Sequence, residues 1–309
     1  MDKTLLEPEH TLKLISYHKK MNEFQKLYNF NKLPKVIMLS GEKGIGKFTF
    51  IIHLIISLID KENYDFKNLS ISKKSLTHKQ IISKVFSNII IIKGDNNISV
   101  KIEDIRKLKE IILKSNLNEK PRFVILDDLD KFNINCQNAL LKIIEEPPKN
   151  NYFILINNKK DKIAQTIQSR SLEFKFFLRE SEKIFIIKEI IKKNDLECKF
   201  DYLNFPLSPG KFVNFNYLSI KEKIDLDQSI VTSIGNLLKL FRKTKNNYCI
   251  LFIKYLLDNN IYKKIVLKDS DLMSQIDNKN ETMKLIDDFV LFNLSHNSTL
   301  QLISEKFNE

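Results

Sequence analysis

Residues 36–60 limit the fold more than any other stretch. Val36-Ile37-Met38-Leu39-Ser40 is a short apolar run of strand length, and it leads directly into Gly41-Glu42-Lys43-Gly44-Ile45-Gly46-Lys47. Phe50 to Asp60 follows as an apolar run of helical length. The central segment matches GxxxxGK, and strand, glycine loop and helix in that order is the context in which the pattern cradles phosphate. Gly41, Gly44 and Gly46 allow backbone N–H groups to converge on phosphate oxygens, and the following helix adds the partial positive charge of its N-terminus. Lys47 stands where an ammonium would reach the outer phosphates of a nucleotide.

Two departures qualify this loop. The residue after the lysine ordinarily carries a hydroxyl for Mg²⁺, but here it is Phe48, and Thr49 comes one residue late. A helix turns about 100° per residue, so Thr49 points elsewhere. The second departure lies at the end of the apolar run Phe123-Val124-Ile125-Leu126. Asp127 stands there as the expected Mg²⁺-holding aspartate, followed by Asp128 in place of the usual water-polarising glutamate. Asp is one methylene shorter, and a misplacement of about 1 Å can cost roughly 10²-fold in rate. The motif therefore implies ATP with Mg²⁺ by descent, while Phe48 and Asp128 predict a degenerate site without fast hydrolysis.

Further strands are expected at 89–92, 152–156 and 172–177. Between them come helical patterns, including Ile102, Ile105, Leu108 and Ile112 at helical spacing and a helix running to Glu146 before Pro147-Pro148. Residues 61–87 read as polar and partly irregular. Strands alternating with helices predict an α/β fold, a parallel sheet covered by helices on both faces. Beyond Leu178 the strand signal fades. Ser208-Pro209-Gly210 punctuates a small second unit, and from about Glu222 only helical patterns remain, at 230–241, 248–257 and 283–292. With 309 residues, boundaries are expected as 1–178, 179–221 and 222–309.

The net charge of +13 favours contact with polyanions. Lys101, Arg106, Lys107, Lys109 and Lys114 decorate the amphipathic segment beginning at Lys101. Arg106 and Lys109 are the candidate phosphate contacts there, against a plain solvated face as the alternative. Three scattered cysteines, Cys136, Cys198 and Cys249, supply no zinc cluster, so neither zinc nor another structural metal is expected. The five histidines show no ligand or catalytic spacing. No apolar run approaches the roughly 18 residues of a membrane span, and no signal-peptide core is seen, so a cytoplasmic location is expected.

Asn138-Ala139-Leu140-Leu141-Lys142-Ile143-Ile144-Glu145-Glu146-Pro147-Pro148 closely resembles the signature of bacterial clamp-loader subunits, AAA+ proteins of the DNA polymerase III holoenzyme. Downstream, 153–158 resembles the sensor 1 strand, and Gln168-Ser169-Arg170-Ser171 resembles the motif carrying the arginine finger, with Ser171 in place of Cys. Ser208-Pro209-Gly210-Lys211 resembles the sensor 2 turn, with Lys211 in the place of Arg. The resemblance covers roughly residues 30–215 and is greatest to the delta-prime type, given Phe48, the Asp127-Asp128 pair and the lack of a four-cysteine module.

The resemblance implies an AAA+ P-loop base domain (1–178), a helical lid (179–221) and a helical collar (222–309) for assembly of a hetero-oligomeric ring. It implies Arg170 as a finger acting in trans on a neighbouring motor subunit, and Asn157 and Lys211 as sensors. The partners it implies are gamma/tau motor subunits, the delta subunit, the sliding clamp and primer-template DNA. The chain would then be a stator of the DNA-directed DNA polymerase holoenzyme that joins no nucleotides itself. Two rival readings are an active AAA+ ATPase, of gamma/tau or another P-loop type, and a nucleic-acid-binding protein on a dead P-loop fold.

Overall fold

Alternation along the strands assigns each side chain to one of two cores. The computed structural model describes residues 6–94, 100–113, 120–159, 161–198, 203, 207–224, 229–266 and 272–307. Its strands are β1 (Val36–Ser40), β2 (Tyr64–Asp65), β3 (Ser70–Ile71), β4 (Ile89–Lys93), β5 (Arg122–Asp127), β6 (Asn151–Asn157) and β7 (Leu172–Lys175). Five of them form one parallel sheet in the order β4-β5-β6-β1-β7, and β2 and β3 form a separate antiparallel pair. Ile37, Leu39, Phe123, Ile125, Ile154 and Ile156 project into a core shared with α1 (His18–Asn29) and α2 (Lys47–Ile59). Their neighbours Val36, Met38, Val124, Leu126, Phe153 and Leu155 project into a second core. It is shared with α4 (Ile102–Leu113), α5 (Ile134–Ile144) and α6 (Gln165–Ser169). This is the period-two pattern of a sheet buried on both faces.

β1 and β5 are buried at every position, as central parallel strands should be. α2 is buried at every residue from Phe50 to Leu58, which explains its apolar character on all sides. The expected α/β sheet and all five of its strands occur. β7 closes two residues early, although the Phe176 N–H still donates to Ser40 O at 2.7 Å. α5 ends at Ile144 instead of Glu146, with Glu145 as its C-cap, because a residue before proline resists the helical region.

Residues 61–87 hold more order than their composition suggests. Besides β2 and β3, they contain α3 (Leu76–Ile82), whose N-cap Ser75 Oγ accepts from the His78 N–H. Elements this short carry no legible period. The segment 8–14 straps onto this region. Ile71 N–H donates to Leu12 O at 2.8 Å and Leu14 N–H to Leu69 O at 2.9 Å. Two buried histidines complete the strap, His53 Nε2 donating to Thr11 O at 2.9 Å and His78 Nε2 to Glu9 O at 2.8 Å.

Two compact units divide the chain, one of residues 1–190 with 208–210, the other of 191–207 with 211–309. α7 (Glu180–Asn194) crosses the boundary. α8 (Pro209–Lys221) begins at Pro209, so the proline expected in a turn is the first residue of a helix, where its missing N–H costs nothing. In the second unit, α9 (Ile230–Thr244) packs on α10 (Asn247–Val266) and α12 (His296–Phe307). α11 (Leu272–Phe292) closes the arrangement by packing on the same two helices. Gly235 permits the close approach of α9 to α12, since a Cβ there would stand 3.1 Å from Leu300. Among the described residues, no helix is long and apolar enough to cross a membrane.

Candidate functional site

The loop after β1 sits at the carboxyl end of the parallel sheet, where open α/β folds bind ligands. Its glycines are required by geometry. A Cβ on Gly41 would lie 2.1 Å from Phe176 O, and Gly44 and Gly46 have φ of 90° and 92°, in the left-handed region. Gly46 is the N-cap of α2. Lys47, 4% exposed, folds back along the loop, with Nζ donating to Gly41 O at 2.6 Å and Glu42 O at 2.8 Å. Burial pulls its pKa down to about 8, against the opposing attraction of Asp127, Asp128 and Asp130. Phe48 turns its ring onto the α1/α2 core, and Thr49 is half-buried one step further round α2.

Several side chains hold this loop in place. Tyr17, itself at φ 73°, donates from its hydroxyl to Ile45 O at 2.8 Å. Burial and the nearby Glu182 carboxylate raise its pKa. Lys183 pairs with Glu42 at 2.8 Å. Ser208 Oγ donates to Lys43 O at 2.8 Å, and the Gly210 N–H donates to Gly44 O at 2.8 Å. Position 210 has no room for a Cβ, which would stand 2.9 Å from Gly44 Cα.

Asp127 and Asp128 close β5 beneath the loop, and both are buried. Asp127 Oδ1 accepts from the Asp128 N–H at 3.0 Å, and Oδ2 lies 3.6 Å from Lys93 Nζ. Asp128 is at φ 53°; its Oδ1 accepts from Asn158 Nδ2, and its Oδ2 pairs with Lys43 Nζ at 2.5 Å. Burial, then the Asp128 charge, raises the pKa of Asp127. A divalent cation needs several oxygen donors with lone pairs to give. With Lys43 in place each carboxylate oxygen already faces a donor or an ammonium, and position 48 offers no hydroxyl, so the pair as it stands does not fit Mg²⁺.

Asn157, the expected sensor, is not the side chain beside the acid pair. Its Nδ2 lies 3.9 Å from Met38 Sδ, and it lines a cleft of about 780 Å³ together with Lys159, Gln165, Ser171 and Lys175. Asn158 reaches Asp128 instead, and its own N–H donates to Asp130 Oδ1 at 3.1 Å. Asn157 continues the Phe153–Leu155 side of β6 and Asn158 the Ile154–Ile156 side, to which Asp127 belongs; Asp128, the residue Asn158 reaches, leaves the alternation of β5 at φ 53°.

Arg170 caps α6 away from the loop. Nη2 pairs with Glu145 Oε1 at 2.9 Å, Nη1 donates to Thr166 O at 3.2 Å, and the side chain keeps 36% exposure. Lys211 lies in α8, in the second unit. Arg106, Lys107 and Lys109 are exposed on α4, Lys101 is exposed just before it, and Arg106 stands 3.8 Å from Glu103. Lys114 lies outside the described residues. Asn158, Lys43, Tyr17 and Ser208 were not among the expected site residues; strand parity puts only the first on the Asp127 side.

Residues 17–180 match the protein family described as "DNA polymerase III, delta subunit". The chain is 32% identical over 168 residues to a DNA polymerase III subunit gamma of Buchnera aphidicola subsp. Schizaphis graminum, covering 54% of this chain and 45% of that one. It is 29% identical over 248 residues to a subunit gamma/tau of Mycoplasma genitalium, covering 78% and 40%. To a subunit delta' of Buchnera aphidicola subsp. Acyrthosiphon pisum it is 28% identical over 204 residues, covering 64% and 61%. The chain thus spans less than half the length of the gamma-type relatives. The matched segment includes the glycine loop, the acid pair, the NALLK…EEPP helix and Arg170, and on that footing the chain belongs to the DNA polymerase III delta subunit family of AAA+ clamp-loader proteins.

Proposed function

We propose that the chain is a delta-prime stator of the clamp loader, helping place the sliding clamp on primed DNA and lending Arg170 to the ATP site of a neighbouring gamma/tau motor subunit. The observation that carries this reading is an asymmetry between two parts of one unit. The chain's own nucleotide loop is neutralised from within, with Lys47 on its own carbonyls and Asp128 held by Lys43 and Asn158. Arg170 instead keeps its guanidinium partly exposed, held by one carboxylate and a helix-end carbonyl. A guanidinium brought to a γ-phosphate in trans stabilises transition-state charge and contributes about 10³–10⁵ in the best-studied GTPase case.

In this reading residues 179–221 are the lid, with Lys211 at the sensor 2 position, and 222–309 the collar that joins the ring. Lys211 is a point charge without the planar fork of arginine, so its hold on a phosphate is weaker. Arg106 and Lys109 follow the primer-template backbone, the delta subunit and clamp are further partners, and the assembly works in the cytoplasm. The intact GxxxxGK segment and the gamma-type relatives favour a second reading, an active motor ATPase. The test is DNA- and clamp-stimulated ATP turnover of a complex reconstituted with wild type, Lys47→Ala or Arg170→Ala. The stator reading expects loss with Arg170→Ala and little change with Lys47→Ala. Loss of a large share of turnover with Lys47→Ala refutes it.

A further inference from the structure

We infer that Lys43 takes the place of a divalent cation at the acid pair, so that the loop carries its own counter-charge. Lys43 Nζ is 2.5 Å from Asp128 Oδ2, so that this ammonium joins the glycine loop to the residue that follows β5. Asp128 is only 5% exposed at its side chain, and two adjacent buried carboxylates need compensation wherever both are ionised. The contacting compensation comes from Lys43 on Asp128 and Lys93 on Asp127, with Asn158 Nδ2 and the Asp128 N–H on the remaining oxygens and the buried Lys47 ammonium acting from further off. The backbone at Lys43 is fixed as well, because its carbonyl accepts from Ser208 Oγ and the next residue's carbonyl accepts from the Gly210 N–H. Phe48, packed on the α1/α2 core, removes the hydroxyl that would make metal the better choice.

The inference deepens the stator reading at the nucleotide loop, but its test does not pass through assembly or turnover, so either can fail alone. The full chain is titrated with Mn²⁺, and bound metal is read from loss of the free-ion electron paramagnetic resonance signal. Thermal unfolding is followed in parallel. Wild type is expected to show no Mn²⁺ binding that depends on Asp128, so Asp128→Asn leaves its titration unchanged. Lys43→Met, which keeps the aliphatic stem, is expected to gain one site and to rise in unfolding midpoint with Mn²⁺. Adding Asp128→Asn to Lys43→Met abolishes both gains. Lys43→Gln serves as a second variant should Lys43→Met fail to fold. Asp128-dependent Mn²⁺ binding by wild type overturns the inference, and so does a folded Lys43 variant that gains no site.

Discussion

Replacing Lys47 with Met should make the unit that contains it more stable, and the size of the gain follows from the buried ammonium. Burial lowers the Lys47 pKa from 10.5 to about 8, and each tenfold change in a protonation equilibrium corresponds to about 1.4 kcal/mol between the two protonation states. The charged form therefore costs the native state about 3 kcal/mol near neutral pH. Met keeps most of the buried volume and removes that cost. It also strips the donor from Gly41 O and Glu42 O, a loss of about 1 kcal/mol. The net expectation is about 2 kcal/mol, a rise of about 4–8 °C in midpoint for a unit of this size. The sign with pH is fixed. Because the folded pKa lies below the unfolded one, the unfolded chain holds more protons between about pH 8 and 10.5, and wild type gains stability as pH rises through that window. The advantage of Lys47→Met should be full at about pH 7 and shrink toward about pH 10. Calorimetric unfolding of both chains across that range measures it. A lower midpoint for Lys47→Met at about pH 7, or a difference that does not change with pH, refutes the reasoning.

Gly41→Ala should cost about 3 kcal/mol, because the new Cβ meets Phe176 O at 2.1 Å on backbone just past β7 that is tied to β1 by the Phe176 N–H to Ser40 O bond. Denaturant unfolding measures it, and Gly210→Ala, whose Cβ meets Gly44 Cα at 2.9 Å, should cost less. Arg170→Ala and Glu145→Gln should each change unfolding free energy by less than about 1 kcal/mol, since both partners of the pair are well exposed. Any loss of turnover in a reconstituted complex then reports on function and not on folding. Burial lowers the His78 pKa, so the unfolded chain takes up a proton that native His78 resists, and stability should fall as pH drops below about 6.5. His78→Gln, which still has a donor for Glu9 O, should flatten that acid limb in a pH series of thermal melts.

The sheet was legible because parallel strands buried on both faces must be apolar along their centres, and β1, β5 and β6 are, at 36–39, 123–126 and 152–156. The loop was legible because its glycines are fixed by φ and by close approach, constraints that act at single positions and so leave single-letter traces. The strap of 8–14 left no such trace. It is held by carbonyls of Glu9, Thr11 and Leu12, and a backbone acceptor is the same whatever the residue. β2, β3 and α3 are too short to show a period at all.

The site shows the same division. Asp127 is placed by the end of a strand, which the sequence marks, but its surroundings are set by what crosses from other strands and loops. Asn157 and Asn158 are chemically identical, and a motif read as a string cannot choose between them. The sheet separates them, since successive residues of β6 face opposite cores and the even-numbered side is the one Asp127 shares. Carrying that alternation from Ile154 and Ile156 one step beyond the strand puts Asn158 on the Asp127 side, but its bond to Asp128 also needs the left-handed turn at φ 53°, which the alternation does not give. Lys43 is harder to anticipate. Its stem leaves a glycine loop whose path depends on Gly41 against Phe176 and on Gly210 against Gly44, contacts that span 135 and 166 positions. A cation that flexible acquires a defined role only after those backbones have met. The charge balance of this site is therefore a property of the folded unit, even though each of its carboxylates sits where a strand must end.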